Sequence, residues 1–277
     1  MMNSVFKAAG AVAALLLAPV AGATLVTFEA AGANAAAITA TRDAFRVAVG
    51  GGVVAGANGS FGGVRREINW DGVPDLQADP NPMPADFFNT SSKRGAVFST
   101  PGTGFLVSAN AGLATPTLFG FPGDLQTFSP QRLFTAVGSN ITDVTFFVPG
   151  TGIAATTSAF GVVFVDVEDR DVTKIEFFDA TDTLIFTRDV LVGGNQGLSF
   201  VGAVADAGEK ISRVRLISGA NSILSNGVRA SETTDMVVMD DFLYAEPRAI
   251  PEPSSLALAG VGLLCGVAWL RRRRQAP

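Results

Sequence analysis

The chain has 277 residues, of which 48% are hydrophobic and 16% charged, and its formal net charge is −5. It contains no histidine, which excludes Ser-His-Asp and Cys-His catalysis and every histidine-ligated metal site. The single cysteine, Cys265, lies in an apolar C-terminal segment, so the rest of the chain has no disulfide and no thiol nucleophile. What remains is the chemistry of carboxylates and of oxygen-ligated metal ions.

Residues 1–23 have the pattern of a secretory signal peptide. Lys7 supplies the charge of the n-region, residues 8–20 form the apolar h-region, and residues 21–23 (AGA) are a small-residue cleavage site. An uncleaved membrane helix would need a longer apolar run. We therefore expect the secretion translocon to export the chain and signal peptidase to cleave it before Thr24.

The exported body is expected to be one β-sandwich domain over residues 24–249. Without Lys7, Glu252 and the arginines at 271–274, the 20 basic and 25 acidic residues of the chain fall to 15 and 24, a net charge of −9. An acidic body of this kind is a poor partner for nucleic acid or for anionic membranes. Divalent cations and neutral glycans are the partners that it favours.

Two elements are predicted at the start of the body. Residues 24–29 (TLVTFE) alternate apolar and polar side chains and predict a first strand. Ile38 and Phe45 recur at helical spacing and a glycine triplet follows Val49, which predicts a helix over residues 34–49. Its charged residues, Arg42, Asp43 and Arg46, are expected on the solvent-exposed face.

Residues 59–89 form an irregular segment rich in proline and carboxylates, and they contain Trp70, the only tryptophan of the body. One interpretation is a ligand-binding site in which Trp70 stacks on a sugar ring and Arg66, Glu67 and Asp71 hydrogen-bond to its hydroxyl groups. The other is a core tryptophan that holds a long loop against the sheet. The sequence leaves both open.

From residue 95 onward the chain is predicted to be β throughout. Short runs rich in Val, Ile, Phe and Thr alternate with turn residues about every ten positions, which is typical of an antiparallel sandwich or jelly roll. In the run from Ile211 to Ser218, Val214 and Leu216 are expected to face the core. The runs are GAVFST, GFLVSA, RLFTAV, ITDVTFFVPG, SAFGVVFVDVED, VTKIEFFDA, DTLIFTRDV, LSFVGAVA, KISRVRLIS and DMVVMDDFLYAE. The predicted fold is mostly β, a jelly-roll-like sandwich with one N-terminal helix and a C-terminal transmembrane helix.

The last 28 residues combine three parts in a fixed order. Pro251, Glu252 and Pro253 form a stiff spacer, because both prolines lack an N–H and fix φ. Residues 254–270 carry no charge and would rise roughly 25 Å as a helix, just enough to cross a bilayer. Four arginines, Arg271, Arg272, Arg273 and Arg274, close the segment and are expected on the cytoplasmic side.

These three parts resemble the bacterial PEP-CTERM sorting signal over residues 250–277, about a tenth of the chain. In that family a membrane-embedded exosortase recognises and removes the tail. The resemblance therefore implies an exosortase partner, transient anchoring in the inner membrane, and a final place at the cell surface or in the extracellular matrix. The family's hosts are mostly Gram-negative bacteria that make extracellular polysaccharide, which makes polysaccharide an expected ligand. The alternative is an ordinary membrane anchor that is never processed.

Residues 159–245 resemble the jelly-roll domains of PEP-CTERM proteins and, more distantly, carbohydrate-binding modules of the same fold. In those modules a calcium ion often ties a glutamate near the first strand to an aspartate near the last, and the matching residues here are Glu29 and Asp240 or Asp241. Strand alternation predicts that the two aspartates face opposite sides, so one points inward and needs a partner or a metal. Arg215 or a backbone amide is the alternative to calcium.

A second acidic group, Asp166, Glu168, Asp169 and Asp171, follows a predicted strand and is interpreted as a solvated turn. Glycosidase chemistry would need two carboxylates facing one cleft, and the sequence singles out no such pair, so no catalytic residue is assigned. Two functions remain open. The chain is either a non-enzymatic surface or matrix protein that binds polysaccharide, or a secreted glycan hydrolase that uses paired carboxylates.

Overall fold

The part of the chain that is described by a computed structural model is mostly β. It covers residues 25–250 except 51, 53–55, 111–116, 207, 209 and 225–226. The strands are β1 (Leu25–Gly32), β2 (Arg65–Ile68), β3 (Ala96–Ser99), β4 (Gly104–Val107), β5 (Phe134–Val137), β6 (Ile141–Phe146), β7 (Ala155–Thr156), β8 (Ala159–Val165), β9 (Lys174–Phe178), β10 (Leu184–Asp189), β11 (Leu198–Ala205), β12 (Arg213–Ile217), β13 (Val238–Ala245) and β14 (Arg248–Ala249). The helices are α1 (Ala35–Val49) and α2 (Phe87–Thr90), with 3₁₀ turns at Asp75–Gln77 and Leu118–Gly120.

Two antiparallel sheets face each other. The larger has the order β1-β11-β8-β13-β5-β4, with β2 also pairing with β13, and the smaller has the order β10-β9-β12-β6-β3. Strands β5-β13-β8-β11 opposite β6-β12-β9-β10, with the chain crossing between the sheets, have the order of an eight-stranded jelly roll. The predicted jelly-roll-like antiparallel sandwich is confirmed.

The strands predicted after residue 95 are all present. In β12, Val214 and Leu216 are buried while Arg213 and Arg215 are half-buried, as the alternation predicted. The apolar run of β8 is buried at all seven residues, because β8 lies between β11 and β13 in the centre of the larger sheet. The two-residue strands β7 and β14 pair with each other and are too short to give a pattern in the sequence.

The core between the sheets is rich in phenylalanine. Phe160 and Phe242 of the larger sheet and Phe177 of the smaller one are fully buried there, and the rings of Phe160 and Phe242 are 5.4 Å apart at an angle of 65°. Burying a side chain of this size stabilises the fold by about 1.5–3 kcal/mol. A core of this kind is consistent with a body that uses no disulfide.

The predicted helix is present as α1, and it packs on the outer face of the larger sheet. The ring of Phe45 lies over Gly161 of β8 and Gly202 of β11, which pair with each other. A Cβ atom at these glycines would lie 3.1 and 2.9 Å from the Phe45 ring, so both positions need glycine. This contact seats the helix, and with it Arg42 and Arg46, above the centre of the sheet.

Strand β13 has a β-bulge at its two aspartates. From Met239 to Phe242 it advances three residues while its partner β8 advances two, from Phe164 to Val162. Met239 and Phe242 consequently belong to the same core between the sheets. The predicted alternation across this segment is therefore wrong, because one extra residue breaks the period of two.

The bulge lies where one edge of β13 changes its neighbour. Met239 pairs with Phe134 of β5, whereas the residues from Phe242 onward pair with β2. The backbone between these two pairings has no regular strand partner on this edge, so other groups must satisfy it. The site described below lies at this opening between β5 and β2.

Among the described residues, no helix is long and apolar enough to span a membrane. The predicted signal peptide (1–23) and the predicted transmembrane helix (254–270) lie outside the described residues, as do Pro251, Glu252, Pro253 and the arginines at 271–274.

Candidate functional site

The bulge in β13 brings two carboxyl groups to one hydroxyl. Ser129 Oγ lies 3.1 Å from Asp240 Oδ1 and 2.6 Å from Asp241 Oδ1. The backbone N–H groups of Phe128 and Ser129 donate to Asp240 Oδ2 at 2.6 and 3.2 Å. Asp240 is 0% and Asp241 5% exposed, so both aspartates point away from solvent, where only one was expected to.

The surroundings of this pair favour a shared proton. Burial raises the pKa of Asp240 well above its usual range, and the neighbouring charge of Asp241 raises it further. Burial also raises the pKa of Asp241, against the hydrogen bond from Ser129. The serine hydroxyl can donate to only one carboxylate at a time, so a proton on Asp240 supplies the second donor and removes the repulsion between the two groups.

Trp70 closes the opening between β2 and β5. It is 1% exposed, its ring is stacked on Phe134 with centroids 4.1 Å apart, and its Nε1–H donates to the backbone oxygen of Asp240 at 2.8 Å. The indole thus satisfies a carbonyl of the bulge that no strand on this edge reaches. Of the two interpretations of Trp70, the structure has the core tryptophan, since a ring with no solvent access cannot stack on a sugar.

Two of the residues predicted to accompany Trp70 are also committed to the fold. Arg66 is fully buried and its Nη2 donates to Glu246 Oε2 at 2.7 Å. Asp71 Oδ1 accepts the backbone N–H groups of Gln131 and Arg132, at 2.6 and 3.2 Å. Neither residue lines the pocket that Glu67 lines, so the structure does not bring the predicted set together there.

Glu67 instead lines a polar pocket of about 290 Å³ between helix α1, β2 and the bulge of β13. The pocket combines three arginines with two carboxylates, and no aromatic ring lies among its described lining residues. Its polar side chains are those of Arg42, Arg46, Glu67, Asn69, Arg94, Ser129 and Asp241. Glu67, from the predicted sugar-binding set, and Asp241, from the predicted calcium set, therefore lie in the same pocket.

Several donors of this pocket are incompletely used. Arg46 makes a bidentate contact with Glu67, with Nε 2.9 Å from Oε1 and Nη2 2.5 Å from Oε2. The Nη1 of Arg42 comes only within 3.9 Å of Asp241. The Nε–H of Arg94 is buried and has no acceptor among the described residues. Of these donors, Arg42 is the one that can donate a further hydrogen bond to an oxygen-rich ligand in the pocket.

The arginines of this pocket were missed from the sequence. Arg42 and Arg46 were expected on the solvent-exposed face of α1, and that expectation is wrong for Arg42, whose side chain is 12% exposed. Its guanidinium lies 4.8 Å above the ring of Phe128, because the loop before β5 covers this side of the helix. The spacing of two arginines four residues apart on one helix face was the available signal.

The predicted calcium ligands do not come together. Glu29 makes a bidentate ion pair with Arg188, with Nε 2.6 Å from Oε2, and this contact lowers the pKa of Glu29. Asp240 and Asp241 are occupied by Ser129 and by backbone N–H groups. Among the described residues, the group of three carboxylates with oxygens close enough to share an ion contains none of these three. The set therefore does not fit a calcium ion.

A larger groove, of about 660 Å³, runs beside β10. Two of its cations already have partners, since Lys174 Nζ lies 3.4 Å from Asp189 and Arg188 pairs with Glu29. None of the ligand-binding residues predicted from the sequence lines it. The polar pocket beside the bulge is for these reasons the candidate binding site.

The strongest comparison with known proteins concerns the C-terminal segment. The family model of the PEP-CTERM protein-sorting motif matches residues 249–274. The search of curated proteins and the search of solved structures both found no match. The motif begins where β14 ends, at Ala249, so the described sandwich and the sorting segment adjoin. The chain therefore carries a PEP-CTERM sorting signal, which makes it an exported exosortase substrate that is transiently anchored in the membrane before processing.

Proposed function

We propose that this protein is a non-enzymatic component of the cell surface or extracellular matrix, and that the polar pocket beside the bulge binds one unit of an extracellular polysaccharide. The observation that carries this proposal is the pocket itself, with three arginines and two carboxylates in about 290 Å³. That volume is near the lower end of the range for ligand sites, roughly 300–1,000 Å³, and suits a single sugar unit.

The charge of the pocket favours a sugar that carries a carboxylate. Arg42, Arg46 and Arg94 face Glu67 and Asp241, so three cationic side chains lie opposite two carboxyl groups. The pocket is thus positive within a body whose net charge is −9. Arginine binds carboxylates through paired hydrogen bonds between opposite charges, and a neutral sugar offers no such charge.

Binding would rest on hydrogen bonds rather than on ring stacking. Trp70 and Tyr244, the aromatic residues with a polar edge in the body, are 1% and 0% exposed. A site without a stacking ring is expected to bind a single sugar unit weakly. Repetition of the unit along a polymer would then supply the avidity.

Binding of uronic acid oligosaccharides, measured by calorimetry on the purified protein, tests this proposal. Arg42→Gln should weaken binding about tenfold, since it removes a charged donor but keeps most of the side-chain length. Arg170→Gln, in the larger groove, removes the same charge elsewhere and should leave binding unchanged. Equal effects of the two substitutions, or no binding by the parent protein, would contradict a site in this pocket.

A glycan hydrolase is the second candidate, because Glu67 and Asp241 line the same pocket in different environments. An acid and a base need carboxyl groups in different environments, and burial raises the pKa of Asp241. Against it, Arg46 and Arg65 hold Glu67, and Ser129 holds Asp241. Release of reducing ends from the host's polysaccharide, abolished by Asp241→Asn, would establish the hydrolase and exclude the non-enzymatic function.

The route to the surface is proposed from the sequence. The translocon would export residues 24–249 as one sandwich domain, signal peptidase would remove residues 1–23, and the exosortase would cleave at the Pro251–Pro253 region. The intact mass of material collected from the cell surface tests this order. A mass that still includes the arginines at 271–274 would contradict processing.

A further inference from the structure

Three carboxyl groups outside the polar pocket meet at one end of the larger sheet. Asp166 follows β8 directly, Glu168 lies two residues later, and Asp235 precedes β13. Because Val165 pairs with Val238, the end of β8 and the start of β13 lie side by side. One carboxylate oxygen from each of the three residues lies within 4.8 Å of the other two.

The most buried part of this cluster lacks a partner. Asp235 is 6% exposed, and its Oδ2 accepts the backbone N–H groups of Glu168 and Asp169 at 3.1 and 3.2 Å. Its Oδ1 is also buried, yet it has no hydrogen-bond donor among the described residues. Burying a carboxylate oxygen without a hydrogen-bond donor costs free energy of folding. We therefore expect a group outside the described contacts to interact with Asp235 Oδ1.

The cluster is also short of positive charge. Among the described residues, no lysine or arginine forms an ion pair with Asp166, Glu168 or Asp235. Asp166 has a φ of 73°, and its Oδ1 accepts the N–H of Gln196 at 2.7 Å. Burial first, and then the charges of Glu168 and Asp235, raise the pKa of Asp166 to about 7. The three groups repel one another, and only a cation or a proton would relieve this.

We propose that Asp166, Glu168 and Asp235 bind one divalent cation, with calcium as the best fit. Three oxygens within 4.8 Å of one another lie no more than about 2.8 Å from a common point, so a small movement of the exposed Glu168 side chain would bring all three to a calcium–oxygen distance of about 2.3–2.6 Å. The ligands are carboxylates alone, which suit calcium better than the softer transition metals. Calcium also accepts an irregular ligand arrangement that magnesium does not.

The position of the cluster explains how an ion would enter and what it would do. Glu168 is exposed, so the ion has access from solvent and can complete its shell with water. Asp166 and Asp235 are buried on the ends of adjacent strands, so the ion would tie β8 to the start of β13. This site shares no residue with the set Glu29, Asp240 and Asp241.

Calorimetric titration with calcium chloride, after removal of bound ions by a chelator, tests the proposal on the purified protein. One ion per chain should bind, and calcium should raise the thermal midpoint. Glu168→Gln should weaken binding about tenfold or more without lowering the ion-free midpoint, because its side chain is exposed and its charge repels the other two carboxylates. Asp169→Asn is the matched control: it removes one charge next to the cluster but none of the three ligands, and should change affinity by about twofold at most.

Asp235→Asn gives a second readout, since it keeps an acceptor oxygen for the two backbone N–H groups but loses the buried charge. It should abolish the calcium-dependent rise of the midpoint. No binding by the parent protein at millimolar calcium would overturn the proposal and assign the cluster a shared proton. Equal affinities for the Glu168→Gln and Asp169→Asn proteins would also overturn it.

Discussion

In the described part of the chain, two groups of neighbouring carboxylates contain buried members, and the chain satisfies them differently. At the bulge of β13, Asp240 receives two backbone N–H groups, and it shares the hydroxyl of Ser129 with Asp241. At the end of the same sheet, Asp235 has one oxygen with two donors and one oxygen with none among the described residues. The number of donors around each carboxylate, rather than its burial, separates the two groups.

This difference in hydrogen-bond donors indicates a different role for each carboxylate group. The bulge pair needs only a proton to be complete, and it positions one wall of the arginine-lined pocket. The strand-end cluster needs an added positive charge, which we propose to be calcium. Substitutions at the bulge should therefore change the free energy of unfolding by the same amount with and without calcium. Substitutions at the cluster should change the stabilisation that calcium gives.

The largest effect is expected at Trp70, which supports the bulge. Trp70→Ala should lower the free energy of unfolding by about 3–5 kcal/mol, because it empties a packed site against Phe134. Trp70→Phe keeps most of the packing and should cost less, mainly for the lost hydrogen bond to the backbone oxygen of Asp240. Urea denaturation measures both. A Trp70→Ala protein as stable as the parent would contradict the core position of this ring.

A smaller effect is expected at Ser129, the hydroxyl that the two aspartates share. Ser129→Ala should lower the free energy of unfolding by about 1–3 kcal/mol, since it leaves a buried carboxyl group without a donor. Ser99→Ala in β3, where the serine is exposed, is the control and should change it by less than about 0.5 kcal/mol. If the two substitutions have the same effect, the hydroxyl does not hold the pair.

The pH dependence of stability tests the proton on Asp240. Because burial raises the pKa of Asp240 in the folded state, the unfolded chain loses this proton first, and stability falls as pH rises above about 4. Asparagine has no such proton to lose. The stability of the Asp240→Asn protein relative to the parent should therefore increase as pH rises from 4 to 8, in urea denaturation at each pH. Parallel pH profiles would show that Asp240 is ionised in the fold.

The smallest effect is expected at the ion pair of Glu29 and Arg188. Its arginine side chain is 49% exposed, and exposed ion pairs contribute about 0–1 kcal/mol. Arg188→Gln should lower the free energy of unfolding by less than about 1 kcal/mol, with no change in its response to calcium. A calcium-dependent effect of this substitution would return Glu29 to the list of metal ligands.

The strands and the sorting signal could be predicted from the sequence because both are local patterns. Period-two alternation predicted β12, a continuous apolar run predicted β8, and three consecutive parts predicted the tail. The bulge could not be predicted, since an extra residue in β13 leaves no mark in a run such as DMVVMDDFLYAE. Trp70 stands between two polar residues and so gave no sign of its burial at the opening between β2 and β5.

The two sites depend on contacts between distant parts of the chain. Asp166 and Asp235 are separated by 69 positions in the sequence and meet only because β8 and β13 are neighbours. Arg42 reaches Asp241 only because Phe45 seats α1 over the paired glycines of β8 and β11. Composition limited the candidate chemistry to carboxylates and oxygen-ligated ions, but the pairing of strands decides which carboxylates meet.

The contrast between the two carboxylate groups is tested most directly by a crystal structure of the protein soaked with manganese, an oxygen-preferring ion with an anomalous signal. We expect an anomalous peak between Asp166, Glu168 and Asp235, and none beside the bulge pair. A peak at Asp240 and Asp241, or no peak at the strand-end cluster, would contradict the division of tasks between them.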